Sequence, residues 1–128
     1  MAKVSGIVKG FDSYGASLTN RMWAVSSMIE GAAVMSLWAH KFKRGMVYED
    51  KLSRWSGPGN SLFRKHLQMV VDEKLPVKLI ISTSPNPGAV DRGEDASAYR
   101  NTFATRPELI GEVVFFDGDE FHIAFKEI

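Results

Sequence analysis

The chain has 128 residues, of which 45% are hydrophobic and 11% aromatic. This length and composition predict a single globular domain over residues 1–128 with its own apolar core. The chain contains no cysteine, which excludes disulfides, thiolate metal sites and a cysteine nucleophile. The three histidines lie too far apart for the i, i+4 pair of a helical metal site, so only a carboxylate site stays open. We therefore expect no metal and no cofactor.

Two further features of the composition bear on location and charge. No apolar run reaches the roughly 18 residues of a membrane-spanning helix, and the opening MAKVSGIVKG lacks the apolar stretch of a secretory signal, so we expect a cytoplasmic protein. The net charge of +1 conceals an asymmetry, because residues 38–68 carry seven Lys or Arg against two acids, whereas residues 86–128 carry nine acids against four. Either the basic part attracts phosphates, or the two parts neutralise each other across the fold.

The first half of the chain predicts a strand, a helix and a hairpin. Residues 3–11 are short, β-branched and glycine-punctuated, which favours a strand. Ser17 is a suitable N-cap for a helix over residues 18–30, where apolar residues recur at helical spacing before Gly31. Residues 34–55 predict a β-hairpin, because their apolar residues fit two strands around a central glycine.

The second half begins with a helix and a strand. Asn60 is a good N-cap for a helix over residues 60–74, with apolar residues on one side and charged residues on the other. Residues 77–84 then predict a central strand. Residues 85–107 read as a long loop, with a short helix expected around 96–103, and loops of this length are often functional.

The end of the chain carries the clearest secondary-structure signal. Asp117 and Gly118 lie between two apolar-rich segments, a strong indication of a β-hairpin. The predicted order is β-α-β-β-α-β-loop-β-β. It favours an α+β fold in which two helices pack on a mainly antiparallel sheet. A partly closed barrel of the same strands is the alternative.

The segment RWSGPGNSLFRKHLQ, residues 54–68, is the first candidate binding site. A glycine-rich turn before a helix presents free backbone N–H groups and the positive end of the helix dipole, which together bind anions such as phosphate. GPGN lacks the Gly-Lys-Ser/Thr of a Walker motif, and the alternative is an ordinary strand-to-helix corner. The candidate phosphate-binding residues in this segment are Arg54, Trp55, Gly57, Gly59, Asn60, Arg64 and Lys65.

The predicted 34–55 hairpin is the second candidate, because basic residues and aromatics are interleaved along it. Lys41, Lys43 and Arg44 lie near its tip, where they could follow a phosphate backbone. Tyr48 or Trp55 would then contact a base. The alternative is a solvated hairpin with its aromatics in the core.

These features predict a protein that binds rather than catalyses. The first hypothesis is a small nucleic-acid-binding module, for DNA or RNA, although a net charge of +1 is low for such a domain. The second is a binding protein for a nucleotide or similar phosphorylated ligand, held by the turn at 57–60 and covered by residues 85–107. The third is a protein-interaction module, with a possible homodimer through a sheet edge.

Metal-dependent nuclease activity is a further alternative. Glu49, Asp50 and Lys51 contain a Glu-x-Lys step that resembles the tail of the PD-(D/E)xK nuclease pattern, in which carboxylates hold a divalent metal. That pattern needs another acidic residue upstream. Only Asp12 and Glu30 precede the step, and neither has a matching Pro-Asp context, so we rank this activity below binding.

Overall fold

The computed structural model describes residues 2–4, 6–20, 23–95 and 99–128, which form helices around a mainly antiparallel sheet. The elements in chain order are β1 (Ala2–Val4), α1 (Ile7–Ser13), β2 (Ser26–Ile29), β3 (Ala32–Trp38), β4 (Phe42–Lys43), β5 (Val47–Lys51), α2 (Pro58–Glu73), β6 (Val77–Thr83), α3 (Pro87–Asp91), β7 (Thr102–Thr105), β8 (Leu109–Phe116) and β9 (Glu120–Glu127). The strand order is β1-β7-β6-β8-β9-β5-β4, while β3 pairs with β6 and β2 pairs with β3. The predicted α+β class is confirmed. The barrel alternative is wrong, because the sheet is not closed.

The centre of the sheet is the parallel pair of β3 and β6, which is covered on both faces. Successive strand residues point to opposite faces, and Leu79 and Ile80 of β6 accordingly belong to two different clusters. Leu79 packs in the cluster that contains Phe63 and Leu67 of α2. Ile80 packs with Phe11 of α1. Coverage on both faces explains why both central strands are apolar almost throughout, and it confirms residues 77–84 as a central strand.

The predicted strand over residues 3–11 is wrong beyond its first residues. The strand ends at Val4, and the chain then forms α1. Ile7, Gly10 and Phe11 share one helical face, because they are spaced three and four residues apart. Phe11 is fully buried, and Gly10 lies so close to Ile80 that a Cβ there would be 3.0 Å from the Ile80 Cδ1. Close packing on the sheet therefore outweighs the β-branched composition.

The predicted helix over residues 18–30 is also wrong in the residues that the structure describes. Residues 21 and 22 lie outside them. β2 pairs with β3 in an antiparallel hairpin, in which Ile29 lies opposite Ala32. Gly31 occupies the turn with φ of 74°, a conformation that favours glycine. Gly31 therefore reverses a strand here and does not end a helix.

The predicted 34–55 hairpin is divided between two parts of the sheet. β3 leaves the hairpin and pairs in parallel with β6. After a 3-10 turn at Ala39–Lys41, only β4 and β5 form a hairpin, in which Phe42 lies opposite Tyr48. Because Ala33, Val34 and Met35 are fully buried, β3 belongs at the centre of the sheet.

The predicted second helix is confirmed as α2, but its start differs from the prediction. Gly57 is the N-cap and Pro58 the first helical residue, a position that proline favours. Asn60 does not cap the helix. Its buried side-chain amide donates a hydrogen bond to the Leu52 carbonyl at 2.8 Å, which fixes the corner between β5 and α2.

The short helix expected around residues 96–103 is wrong in its described part, because Thr102 and Phe103 begin β7. Residues 96–98 lie outside the described residues. A helix forms earlier instead, as α3, where the Asn86 side chain accepts a hydrogen bond from the Ala89 N–H at 3.2 Å. No helix in the described ranges is long and apolar enough to span a membrane.

The C-terminal hairpin is confirmed as β8 and β9. The Asp117 Oδ1 accepts hydrogen bonds from the backbone N–H groups of Asp119 at 2.9 Å and Glu120 at 2.8 Å. These bonds hold the pKa of the Asp117 carboxyl below its ordinary value. The turn chemistry recognised in the sequence is therefore what closes this hairpin.

We predict that Gly59→Ala destabilises the protein, although alanine is the better helix former by about 1 kcal/mol. A Cβ at position 59 would lie 2.5 Å from the Trp23 carbonyl oxygen, and backbone cannot move away easily. We expect urea unfolding to show a loss of about 1–3 kcal/mol. The exposed Lys65→Ala on the same helix is the control and should change little. A Gly59→Ala protein at least as stable as wild type would contradict this packing.

Candidate functional site

The residues predicted to bind phosphate lie in different environments. Lys43 is exposed at the end of β4 and Arg44 in the turn that follows, whereas Arg64 and Lys65 are exposed on α2. No hydrogen bond or ion pair among the described residues joins the first two to the second two. By contrast, Lys41 and Arg54 are brought together, but through an acidic residue.

That acidic residue is Asp50, which forms a buried ion pair with Arg54. The Arg54 Nε donates to Asp50 Oδ1 at 2.7 Å and its Nη2 to Oδ2 at 2.9 Å. The Asp50 side chain is 3% exposed and the Arg54 side chain is 11% exposed. Asp50 is the penultimate residue of β5 and Arg54 is the last residue of the following 3-10 turn, so the local chain path brings them together. The positive charge expected to meet a phosphate is neutralised inside the protein.

Tyr48 and Lys41 extend this ion pair. The buried Tyr48 hydroxyl donates to Asp50 Oδ2 at 3.0 Å. Burial, followed by the charge of Asp50, raises the pKa of Tyr48 well above its ordinary value, so the phenol stays protonated. The Lys41 Nζ lies 3.9 Å from Asp50 and 3.2 Å from Asp91.

Asp91 connects α3 to the same cluster. The His40 Nε2 lies 2.8 Å from Asp91 Oδ1. The hydrogen bond with His40, with further contributions from Lys41, holds the pKa of Asp91 below its ordinary value. Arg54 adds a second attachment, because its Nη1 donates to the Val90 carbonyl at 2.8 Å. α3 is thereby fixed beside β5 and the 3-10 turn at residues 39–41.

Trp55, Gly57 and Gly59 shape this region through their packing and backbone geometry. The Trp55 ring packs edge-on against Phe63 at 5.8 Å, and the Arg54 guanidinium carbon lies 5.7 Å from the Trp55 ring centre. The Trp55 Nε1–H is buried and has no hydrogen-bond partner among the described residues. Gly57 caps α2, while Gly59 allows the helix to approach the Trp23 carbonyl closely.

Tyr48, Asp50, Arg54, Trp55 and Gly59 border a cavity of about 740 Å³. All three tryptophans of the chain line it, and their side chains come from widely separated positions, at 23, 38 and 55. The size is typical of small-molecule sites, and the lining combines aromatic and aliphatic side chains with polar and charged ones. Further aromatic lining comes from Tyr48, Phe63, Tyr99, Phe103 and Phe121.

Polar groups lie at defined places in the cavity lining. Ser36 of β3 and Ser82 of β6 line it, and their hydroxyls form a hydrogen bond with each other. Because β3 and β6 are parallel neighbours, with Trp38 opposite Ser82, both serines lie near the carboxyl ends of their strands. Asp50 and Arg54 also line the cavity.

The sequence identified only part of this site. It singled out Arg54, Trp55 and Gly59, which line the cavity, but assigned them to phosphate binding. It missed Ser36 and Ser82, because only the pairing of β3 with β6 brings them together and no local motif marks them. In the sequence, the aromatic residues interleaved along residues 34–55 were the feature that could have indicated a cavity wall.

No group of three or more potential metal ligands occurs within the described parts of the chain. In the Glu49–Lys51 step, Asp50 is bonded to Arg54, and Glu49 lies 4.0 Å from His122 of β9. The carboxylates of this step therefore have protein partners, and a nuclease-type metal site would have to break the buried ion pair.

Comparison with known proteins gives no resemblance to draw on. No protein-family model matches the chain, and no curated protein or solved structure matches it. A function must therefore be inferred from the cavity and the residues that line it.

We predict that Asp50→Ala lowers the free energy of unfolding by about 3–5 kcal/mol, because Arg54 is left buried without its counter-ion. The double variant Asp50→Leu, Arg54→Met removes both charges and should recover most of that loss in urea unfolding. Equal losses in the single and double variants would show that the ion pair is not the source of the effect.

Proposed function

We propose that this protein binds a small molecule in the tryptophan-lined cavity. The single observation that carries the proposal is the convergence of Trp23, Trp38 and Trp55 on one cavity of about 740 Å³. Pockets of roughly 300–1,000 Å³ with apolar walls and a few placed polar groups are the usual sites for small ligands.

The exposure of the tryptophans supports this proposal. All three keep part of their surface accessible, whereas Phe11, Phe63 and Phe121 are at most 2% exposed. Tryptophans that only filled the core would bury their rings against other side chains. Rings that remain accessible around a concave space are instead available to a bound molecule.

The proposal retains part of the second hypothesis from the sequence, a nucleotide or similar phosphorylated ligand. Residues 90, 93–95 and 99–101 line the cavity, so the segment expected to cover a ligand borders the site. The phosphate contacts are less well supported. The charged lining residues are three acids and two arginines, namely Asp50, Glu94, Asp95, Arg54 and Arg100, which gives no excess of positive charge.

Titration with N-phenyl-1-naphthylamine, a neutral dye that fluoresces in apolar sites, tests the proposal. We expect saturable binding of one dye per chain. Ser36→Leu, which places an apolar side chain in the cavity, should weaken binding at least tenfold, whereas Ser61→Leu on the exposed face of α2 should bind like wild type. The proposal fails if the dye does not bind or if Ser36→Leu binds it equally well.

Nucleic-acid binding, the first hypothesis from the sequence, stays a prediction. The exposed cations Lys43, Arg44, Arg64 and Lys65 would carry it. Labelled single- and double-stranded oligonucleotides should then bind more weakly as salt rises, because each neutralised duplex phosphate adds a slope of about 0.9 on logarithmic axes. Arg64→Glu with Lys65→Glu should reduce both affinity and slope. Absence of binding at low salt would exclude the hypothesis.

The remaining expectations also stay predictions. A cytoplasmic location and a protein partner for the acidic part of the chain follow from composition alone. A homodimer would form through a sheet edge, and β1 and β4 end the strand order.

A further inference from the structure

We infer that the ligand of the cavity is an uncharged planar heteroaromatic molecule that presents hydrogen-bond acceptors, such as carbonyl oxygens or ring nitrogens. This inference rests on the proposed function and specifies the class of ligand. Three properties of the lining support it: partly accessible tryptophan rings, hydrogen-bond donors that the protein leaves unused, and the mutual neutralisation of Asp50 and Arg54.

Trp55 is the partly accessible end of a connected series of four rings, and the other three rings are at most 2% exposed. Trp55 contacts Phe63 with ring centres 5.8 Å apart, and Phe63 contacts Phe121 at 5.5 Å. Phe121 in turn contacts Tyr48 at 6.1 Å, and all four side chains line the cavity. Ring faces and edges attract other rings in stacked or edge-on arrangements. Trp23, Trp38 and Trp55 line the cavity and keep part of their surface accessible, so a flat aromatic ligand gains stacking contacts with them that a flexible aliphatic chain does not.

Arg54, Trp55 and the serine pair line the cavity and keep donor protons beyond those used in the hydrogen bonds of the described residues. A guanidinium has five N–H donors, and Arg54 uses three of them on Asp50 and the Val90 carbonyl. The buried Trp55 Nε1–H has no partner in the described parts of the chain. One hydroxyl of the Ser36–Ser82 pair donates to the other, which leaves one hydroxyl proton for a further acceptor.

Each oxygen of the neighbouring Asp50 carboxylate, by contrast, already accepts two hydrogen bonds. Asp50 Oδ1 accepts from the Lys51 N–H at 2.8 Å and from Arg54, and Oδ2 accepts from Tyr48 and Arg54. Buried donors without acceptors are unfavourable. A ligand that brings acceptors satisfies them, whereas a ligand that brings only donors finds no free carboxylate oxygen in Asp50.

The charge of the ligand follows from the same ion pair. Asp50 and Arg54 neutralise each other, so a charged group placed beside them would lose its hydration without gaining a free counter-charge. Among the other charged lining residues, Glu94 is paired with Arg92 at 2.5 Å, and Asp95 and Arg100 contribute one charge of each sign. An uncharged ligand should therefore bind more tightly than its anionic relative.

Competition against N-phenyl-1-naphthylamine tests the inference with four probes. Coumarin is flat, neutral and carries acceptors only, naphthalene is equally flat without acceptors, octan-1-ol is aliphatic, and coumarin-3-carboxylate adds a negative charge. We expect coumarin to bind at least tenfold more tightly than each of the other three. Trp55→Phe keeps an aromatic ring but removes the Nε1–H, so it should lower coumarin affinity about threefold more than naphthalene affinity.

The outcomes separate this inference from the proposed function. If the dye binds but naphthalene, octan-1-ol or coumarin-3-carboxylate equals coumarin, the ligand class is wrong and the small-molecule site stands. The ligand class is also wrong if Trp55→Phe weakens coumarin and naphthalene equally. If the dye itself fails to bind, both proposals fall. Retained dye binding by Trp55→Phe shows that the variant still folds.

Discussion

The parallel pairing of β3 with β6 is the constraint on which the rest of the structure depends. It places one strand pair of an otherwise antiparallel sheet under cover on both faces, with Leu79 packed beneath α2 and Ile80 beneath α1. The carboxyl ends of these two strands lie side by side and carry Ser36 and Ser82. In open sheets that contain parallel strands, such ends are a common position for ligand sites, and the cavity lies at this place.

The buried pair of Asp50 and Arg54 connects the fold to the cavity. Arg54 reaches Asp50 of β5 and the carbonyl of Val90 in α3, so one side chain holds two walls of the cavity together. Arg54, which the sequence suggested as a phosphate ligand, therefore has its positive charge paired with Asp50 inside the protein. Arg54 can still donate directional hydrogen bonds to a bound molecule, but it offers that molecule no unpaired charge.

The sequence predicted the elements whose signals are local and failed where distant packing decides. The helix at 58–73 and the turn at Asp117 have caps, apolar stripes or turn residues within a few positions of one another. α1 and β2 depend on contacts with Ile80 and β3, which no local pattern contains. For the site, too, local signals were visible in the sequence and distant contacts were not. Arg54 and Trp55 were visible as unusual residues, but the serine pair exists only through the β3–β6 register.

The serine pair also makes the site dependent on the folded state of the chain. Its two members are 46 residues apart, and β4, β5 and α2 lie between them in the chain. Neither serine alone forms this part of the lining, so it exists only while β3 and β6 are paired. A ligand that needs both hydroxyls binds the folded chain and not the unfolded one, so its binding adds to the free energy of unfolding.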